Sequence, residues 1–200
     1  LYRAKDRLWL TFWIGGLLLA WGWNGMFLNE PALRQVETGF FNTAIIALLV
    51  IIFTFVGGWA AGVGLHFLEK ARTSLPYFIT TFLLNAIRSV PQIVGILLGY
   101  IIITMMIQSG AVRSQVIIVL LISATISLFV FQELTDLIRE RIQHYRQLDF
   151  YNAMLVCGIP EWQIINREIL RKNSLTHILN KLISIFGITV FLLCSIDFIV

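Results

Sequence analysis

The sequence predicts an all-α protein, a polytopic bundle of transmembrane helices. Of its 200 residues 58% are hydrophobic and only 13% are charged, and the mean hydropathy is +0.83, which is outside the usual balance of soluble domains. Apolar runs of membrane length alternate with short polar segments. The net charge of +4 comes from cations that flank these runs instead of forming one patch, which argues against nucleic-acid binding.

About five spans are expected. The first, Leu8 to Leu28, has no charge and carries tryptophans toward its two ends, as interfacial anchors do. The segment 29–43 is predicted to be a short polar link, which with one cation suits the outer face. We therefore divide the chain into an N-terminal helix with a short outer loop (1–41) and a core (42–200), and we expect a further span beyond Val200 because the last run is still apolar there.

The second predicted span, Ala44 to Phe67, is rich in small residues. Gly58 and Gly62 form a GxxxG pair, and Ala60 and Gly64 repeat the spacing. Small side chains let another helix approach closely, and close packing is the main attraction between helices in lipid. We therefore predict helix packing at Gly58, Gly62 and Gly64.

Residues 74–89 are apolar with a thin polar seam, which predicts either an interfacial helix or the lower half of a long span. The remaining spans are predicted at Val90 to Ile107, Val116 to Phe131 and Ile178 to Val200. Asp197 lies near the outer end of the last one. It is either an interfacial acid that faces water or an acid at the outer mouth that lines a pathway or contacts a partner.

The segment at about 139–177 is the longest polar part of the chain. Together with Lys181 it holds seven of the 15 Lys and Arg residues, more than any other polar segment, so the positive-inside rule predicts a cytoplasmic loop. Four spans precede this loop, which places the N-terminus on the cytoplasmic side as well.

This loop is predicted to contain two helices joined by a corner. Asp149 is a candidate N-cap of the first helix, Gly158 can take the positive φ that ends it, and Pro160 and Glu161 suit the first turn of the second. At α-helical spacing Trp162, Ile165 and Ile169 share one face, which predicts an apolar surface to bury in a partner. The plain alternative is a loop that only links two membrane helices.

Ala153, Gly158, Trp162, Ile164 and the pair Ile169-Leu170 together resemble the signature loop of ABC-importer permeases. In that family the loop reads Glu-Ala-Ala, three residues, Gly, and about ten residues later Ile-Leu-Pro or similar. The segment 158–164 is most similar to the dipeptide, oligopeptide and nickel importer branch. Three positions depart from the pattern: Asn152 stands in place of Glu, Met154 in place of the second Ala, and Arg171 where Pro is common.

The resemblance implies the permease subunit of an ATP-driven importer of the type I fold, in the bacterial inner membrane, for peptides or nickel-like small solutes. It implies three kinds of protein partner besides the bilayer: ABC ATPase subunits, a second homologous permease and an extracytoplasmic solute-binding protein. The residues expected in or around the ATPase contact are Asp149, Asn152, Ala153, Gly158, Pro160, Glu161, Trp162, Ile165 and Ile169.

Two other classes of function remain open on the sequence. A membrane-embedded enzyme is disfavoured because no intramembrane nucleophile–base pair is found, and the scattered histidines do not suggest a metal site. A scaffold or assembly subunit derived from a permease would explain the altered loop positions. No cofactor is expected, since no phosphate-binding motif is present and ATP would be bound by another chain.

Overall fold

The computed structural model describes residues 2–69 and 75–199, and it describes the side chains of residues 8–69 and 75–195. All the regular structure in these ranges is helical, as predicted. Contacts divide the chain into two compact units, Leu1–Thr43 and Ala44–Val200. The boundary falls inside a helix.

The first unit holds α1 (Tyr2–Phe27) and the beginning of α2 (Glu30–Glu69). The prediction of a polar link at 29–43 is wrong, because the chain is helical from Glu30. Asn29 caps this helix, since its side-chain oxygen accepts a hydrogen bond from the Ala32 N–H at 3.2 Å. Pro31 suits the first turn, where its missing N–H would be unsatisfied anyway. Within this unit Trp21 packs edge-on against Phe40.

The second unit continues α2 and adds seven further helical segments among the described residues. These are α3 (Leu75–Ser89), α4 (Gln92–Gln108), α5 (Gln115–Arg146), α6 (Asp149–Val156), α7 (Glu161–Gln163), which runs directly into a π-helix (Ile164–Asn173), and α8 (Leu175–Ile199). α3 and α4 are separated by a break at Val90 and Pro91, where the axis bends by 92°.

Three described helices are long and apolar enough to cross a membrane, namely α2, α5 and the Leu175–Ser195 part of α8. The bent pair α3–α4 would make a fourth if it counts as one span. α1 does not reach the same mean hydropathy, because glycines and tryptophans dilute its leucines. The structure therefore supports a helical membrane protein with three or four spans, and the expected five are not confirmed.

The core of the second unit is built around α5. One stripe of this helix is almost completely buried at every fourth residue, from Ile126 to Ile142. α2 packs against this stripe through glycine: a Cβ added at Gly58 would lie 2.9 Å from the Leu134 Cβ, and one at Gly62 would lie 2.8 Å from the Ile138 Cγ2. Gly64, which was grouped with them, has no described atom in the way of a Cβ.

A second glycine contact joins α4 to α5. A Cβ added at Gly95 would overlap the Phe129 ring, and one at Gly99 would overlap the Thr125 methyl group. This pair has the same GxxxG spacing as Gly58 and Gly62 and was missed. The spacing itself was the signal that could have found it.

Polar side chains just C-terminal to the apolar part of α5 form hydrogen bonds and ion pairs with four other helices. We call Gln132, Glu133, Asp136 and Arg139 the polar belt. Asp136 accepts two hydrogen bonds from Arg88 of α3, at 2.6 and 2.8 Å, and Gln132 donates to the Leu84 carbonyl of the same helix. Glu133 accepts from Gln92 of α4 and pairs with Lys181 of α8 at 2.7 Å, and Arg139 pairs with Glu69 of α2.

Candidate functional site

The candidate site is the segment between α5 and α8, where the sequence predicted two helices and a corner. α6 begins at Asp149, but Leu148 occupies the N-cap position and makes no side-chain capping bond. The prediction of Asp149 as N-cap is thus wrong by one residue. Asp149 lies instead in the first turn, where its charge favours the positive end of the helix dipole.

The corner after α6 is a Schellman motif. Gly158 has φ +79°, as the sequence predicted. Its N–H donates to the Leu155 carbonyl, and the Ile159 N–H donates to the Met154 carbonyl, which is the hydrogen-bond pair that defines the motif. Only a residue without a Cβ takes this φ at little cost. The direction of the chain after α6 therefore depends on Gly158.

The second helix starts one residue later than predicted, because Pro160 lies before its first turn, and it then departs from α-helical geometry. Pro160 is its N-cap and Glu161 opens α7. From Ile164 the backbone follows i→i+5 hydrogen bonding to Asn173. This spacing places residues five apart on the same side, so Ile164 and Ile165 share a side with Ile169 and Leu170.

The buried side of the π-helix corrects the predicted partner surface. Ile165 and Ile169 are completely buried in the core of the chain, so they are not available to another protein. Trp162, the third residue of that predicted face, is still half exposed. The prediction was wrong because an apolar side of a helix can be buried by the chain's own core as well as by a partner, and Ile165 and Ile169 pack in that core.

Glu161 joins three elements. Its Oε1 accepts a hydrogen bond of 2.6 Å from the Tyr151 hydroxyl of α6, and it lies 3.0 Å from Nε2 of His66 in the last turn of α2. An ionised carboxylate only accepts, so His66 donates here. His66 and Tyr151 are 5% and 4% exposed. We call these three residues the Glu161 junction.

The environment of the junction keeps the tyrosine protonated. Burial, and then the hydrogen bond to the Glu161 carboxylate, raise the pKa of Tyr151 to about 12. A phenol that stays neutral keeps its donor, so the 2.6 Å bond persists throughout the physiological pH range. α6 is thereby fixed to the start of the second helix.

α2 makes a second contact with this segment, through Trp59. Its indole N–H donates to the Asn166 side-chain oxygen at 2.9 Å, and its ring packs edge-on against Trp162 at a centroid distance of 5.6 Å. The Phe67 ring also packs against Trp162, with 5.9 Å between the two ring centroids. No local pattern could have paired these residues, because about a hundred positions separate them in the chain.

The exposed part of the loop is the outer side of α6 and the corner. We call it the α6 face, and its residues are Asn152, Ala153, Leu155, Val156 and Cys157. Val156 is 88% exposed, which is high for a branched apolar side chain. Of the predicted contact residues, Asn152, Ala153, Gly158 and Pro160 are also exposed, and Glu161 is nearly buried. The exposed apolar side chains of this segment therefore lie mainly on α6, and Trp162 is the exposed apolar residue of the predicted face on the second helix.

Metal chemistry finds no support in the described residues, which contain no group of three His, Cys, Asp or Glu arranged to hold an ion. Cys157 and Cys194 are free thiols. The side chain of Asp197, the predicted acid of the outer mouth, lies outside the described side chains.

Comparisons of the chain with protein-family models, with curated proteins and with solved structures found no match. The function is therefore argued from the geometry of the loop and from the residues that resemble a known signature.

Proposed function

We propose that this chain is the transmembrane permease subunit of an ATP-driven solute importer. The observation that carries the proposal is the arrangement of the loop: a short helix with an exposed apolar face is attached to a second helix whose isoleucine side is buried in the core. A surface that receives force from a partner needs both properties. The signature residues Ala153 and Gly158 lie on the exposed part, in α6 and at its corner.

The contacts support a route for motion from α6 into the membrane helices. A displacement of α6 would act through Tyr151 on Glu161, and from there through His66 on α2. The second helix would follow because it is bonded to α2 at Asn166 and packed on the core through its isoleucines. Closely packed interiors transmit such displacements because they deform little.

The partners follow from this role. The α6 face would rest in a groove of a separate ABC ATPase, and a second homologous permease would complete the pathway for a solute delivered by an extracytoplasmic binding protein. Peptides or nickel-like solutes are proposed as cargo on the resemblance of the loop. The proposed location is the bacterial inner membrane. An N-terminus in the cytoplasm requires that α1 also crosses the membrane, so that four spans precede the loop.

Co-purification of an ATPase subunit with the detergent-solubilised full-length protein tests the proposal. Val156→Asp places a charge on the α6 face without touching the core, so we expect it to lose the ATPase. Gln115→Asp, at the opposite end of α5 and also exposed, is the matched control and should retain it. If the wild-type chain brings down no ATPase, the proposal fails. If an ATPase binds but transported solute never stimulates hydrolysis, a scaffold derived from a permease is the better description.

Gly158→Val tests the coupling itself. Valine at φ +79° is strained by about 1–2 kcal/mol, and since no described side chain crowds this position, the cost is one of backbone conformation. We expect the variant to insert in the membrane and to hydrolyse ATP without transport. Gly187→Val makes the same substitution in α8, where a Cβ also meets nothing and φ is not positive, and should transport normally. Normal uptake by Gly158→Val would contradict the proposed coupling.

A further inference from the structure

The outward side of α3 is apolar although no part of the described chain covers it. Its large side chains are between 51% and 74% exposed, and none of them is charged. They recur at helical spacing and so form one face of the helix. These residues, the α3 face, are Leu75, Phe78, Ile79, Phe82 and Leu83.

The opposite side of α3 carries the polar groups and points to α5. Thr81 and Leu84 are partly buried there, and the Leu84 carbonyl accepts a hydrogen bond from Gln132. Arg88 is bound by both carboxylate oxygens of Asp136. This arrangement is the reverse of a surface helix in a soluble protein, where the apolar stripe faces the core. Such a face is stabilised by apolar surroundings, which lipid or another protein surface can supply.

The direction of α3 excludes a simple crossing of the bilayer. Its 15 residues extend about 22 Å, less than the roughly 30 Å of hydrocarbon, and it meets α4 at 92°. If α4 runs along the membrane normal, α3 lies in the membrane plane. Its depth is set by the polar belt, because Arg88 and Leu84 are bonded to the part of α5 where the apolar run gives way to charges.

We propose that α3 is an interfacial helix that lies in one leaflet. The α3 face would contact the part of the acyl chains next to the headgroups, and Asp136 would hold Arg88 at the level of the headgroups. The occupant of the face is lipid and not a protein. Two features favour this choice. Lys70 and Arg72 precede the helix in the sequence and suit anionic headgroups. The chain also passes from α3 within two residues into α4, whose large apolar side chains are exposed in the same way. The proposal does not depend on the transport function.

Spin-label depth measurement tests the orientation. Leu75 and Ala86 lie on the same side of α3, eleven residues apart, so a helix along the membrane normal would place them about 16 Å apart in depth. An in-plane helix would place them at nearly equal depth, about 5–10 Å below the headgroups. Each residue is replaced by Cys in the full chain with Cys157→Ser and Cys194→Ser, labelled, and reconstituted in phosphatidylethanolamine–phosphatidylglycerol vesicles. Accessibility to oxygen and to a water-soluble nickel chelate gives the depth.

Labels at Leu98 in α4 and at Asn152 in α6 calibrate the hydrocarbon and water limits, because both positions are exposed. We expect the labels at 75 and 86 to be more accessible to oxygen than the label at Asn152. Their depths should match each other and should be shallower than the depth of the label at Leu98. A depth difference near 16 Å between the labels at 75 and 86 would show that α3 runs along the membrane normal as half of a transmembrane span, and would overturn the proposal. Accessibility equal to that of Asn152, or shielding from both reagents by a protein partner, would overturn it as well.

Discussion

Glu161 shows how one carboxylate can organise a loop. It lies at the first turn of the second helix, where the helix dipole favours an acid, and the same oxygen receives donors from α6 and α2. Its side chain is only 14% exposed, so an unpaired charge there would be costly. The donors at Tyr151 and His66 therefore stabilise the carboxylate and hold the two elements together.

Tyr151→Phe should weaken the fold in a pH-dependent manner. The folded-state pKa of Tyr151 is raised from 10.0 to about 12, so its contribution to stability is complete below pH 10 and is lost as the pH rises toward 12. We expect the variant to be less stable than wild type by about 1–3 kcal/mol at pH 8, with a smaller gap at pH 11.5. Unfolding midpoints in detergent at the two pH values measure this.

Tyr145→Phe is the control for this experiment, because its hydroxyl makes only a long contact of 3.4 Å with the Asn173 carbonyl. It should change the unfolding midpoint less at pH 8. A gap between Tyr151→Phe and wild type that stays constant from pH 8 to pH 11.5 would show that the hydroxyl does not contribute through its bond to Glu161.

The residues of the corner were predictable and their partners were not. Gly158, Pro160 and Glu161 act through the backbone within a few positions of themselves, so residue type and spacing carry the information. His66 and Trp59 reach the loop only because α2 packs beside α5. That packing depends on contacts between distant parts of the chain, which a local pattern does not contain.

Helix bounds show the same limit at the scale of elements. Hydropathy marks the part of a helix that faces lipid, and it predicted α2 from Ala44. The helix begins 14 residues earlier, at Glu30, because the bounds of a helix are set by backbone hydrogen bonds and by the Asn29 cap. The π-helix was not predicted, since α-helical periodicity was assumed for the isoleucines that it buries.

The glycine contact between α2 and α5 gives a test at this scale. Gly62→Ala would put a methyl group 2.8 Å from the Ile138 Cγ2, so α2 and α5 must separate slightly. We expect a loss of about 1–3 kcal/mol in the free energy of unfolding, measured by titration with a denaturing detergent.

Gly64→Ala makes the same change two residues further along α2, where no described atom obstructs the methyl group. Alanine is the better helix former, so this variant should be neutral or more stable by up to about 1 kcal/mol. Equal losses in the two variants would mean that helix propensity, and not close packing against α5, decides the effect.

At the scale of the whole molecule, composition was the most informative property of the sequence. It predicted an all-helical chain with apolar helices of membrane length, and the described residues contain three such helices. The number of spans was less predictable, since a short apolar run can lie in the membrane plane as well as cross it. The bend of 92° between α3 and α4 separates these cases, and no residue pattern specifies that angle.

The polar belt predicts coupled effects between α5 and α8. Lys181 and Glu133 are partly buried, at 31% and 25% exposure, so Lys181→Met would leave a carboxylate short of its cation. We expect a loss of about 1–3 kcal/mol from that variant. Adding Glu133→Leu removes the uncompensated charge and should restore part of the stability. A double-mutant cycle measures the coupling, and strictly additive losses would show that the pair does not act as a unit.

The burial of the isoleucines has a consequence for how the protein is made. Ile164, Ile165 and Ile169 fill the core beside α5, yet they are synthesised about a hundred residues after the α2 residues of that core, a delay of roughly 5–20 s at about 5–20 residues per second. During this interval the nascent bundle has an open, apolar groove. Chains stalled after Gln163 should therefore be degraded by membrane proteases faster than chains stalled after Ser174, and pulse-chase labelling would measure the difference. Equal lifetimes would mean that the groove is protected before the loop arrives.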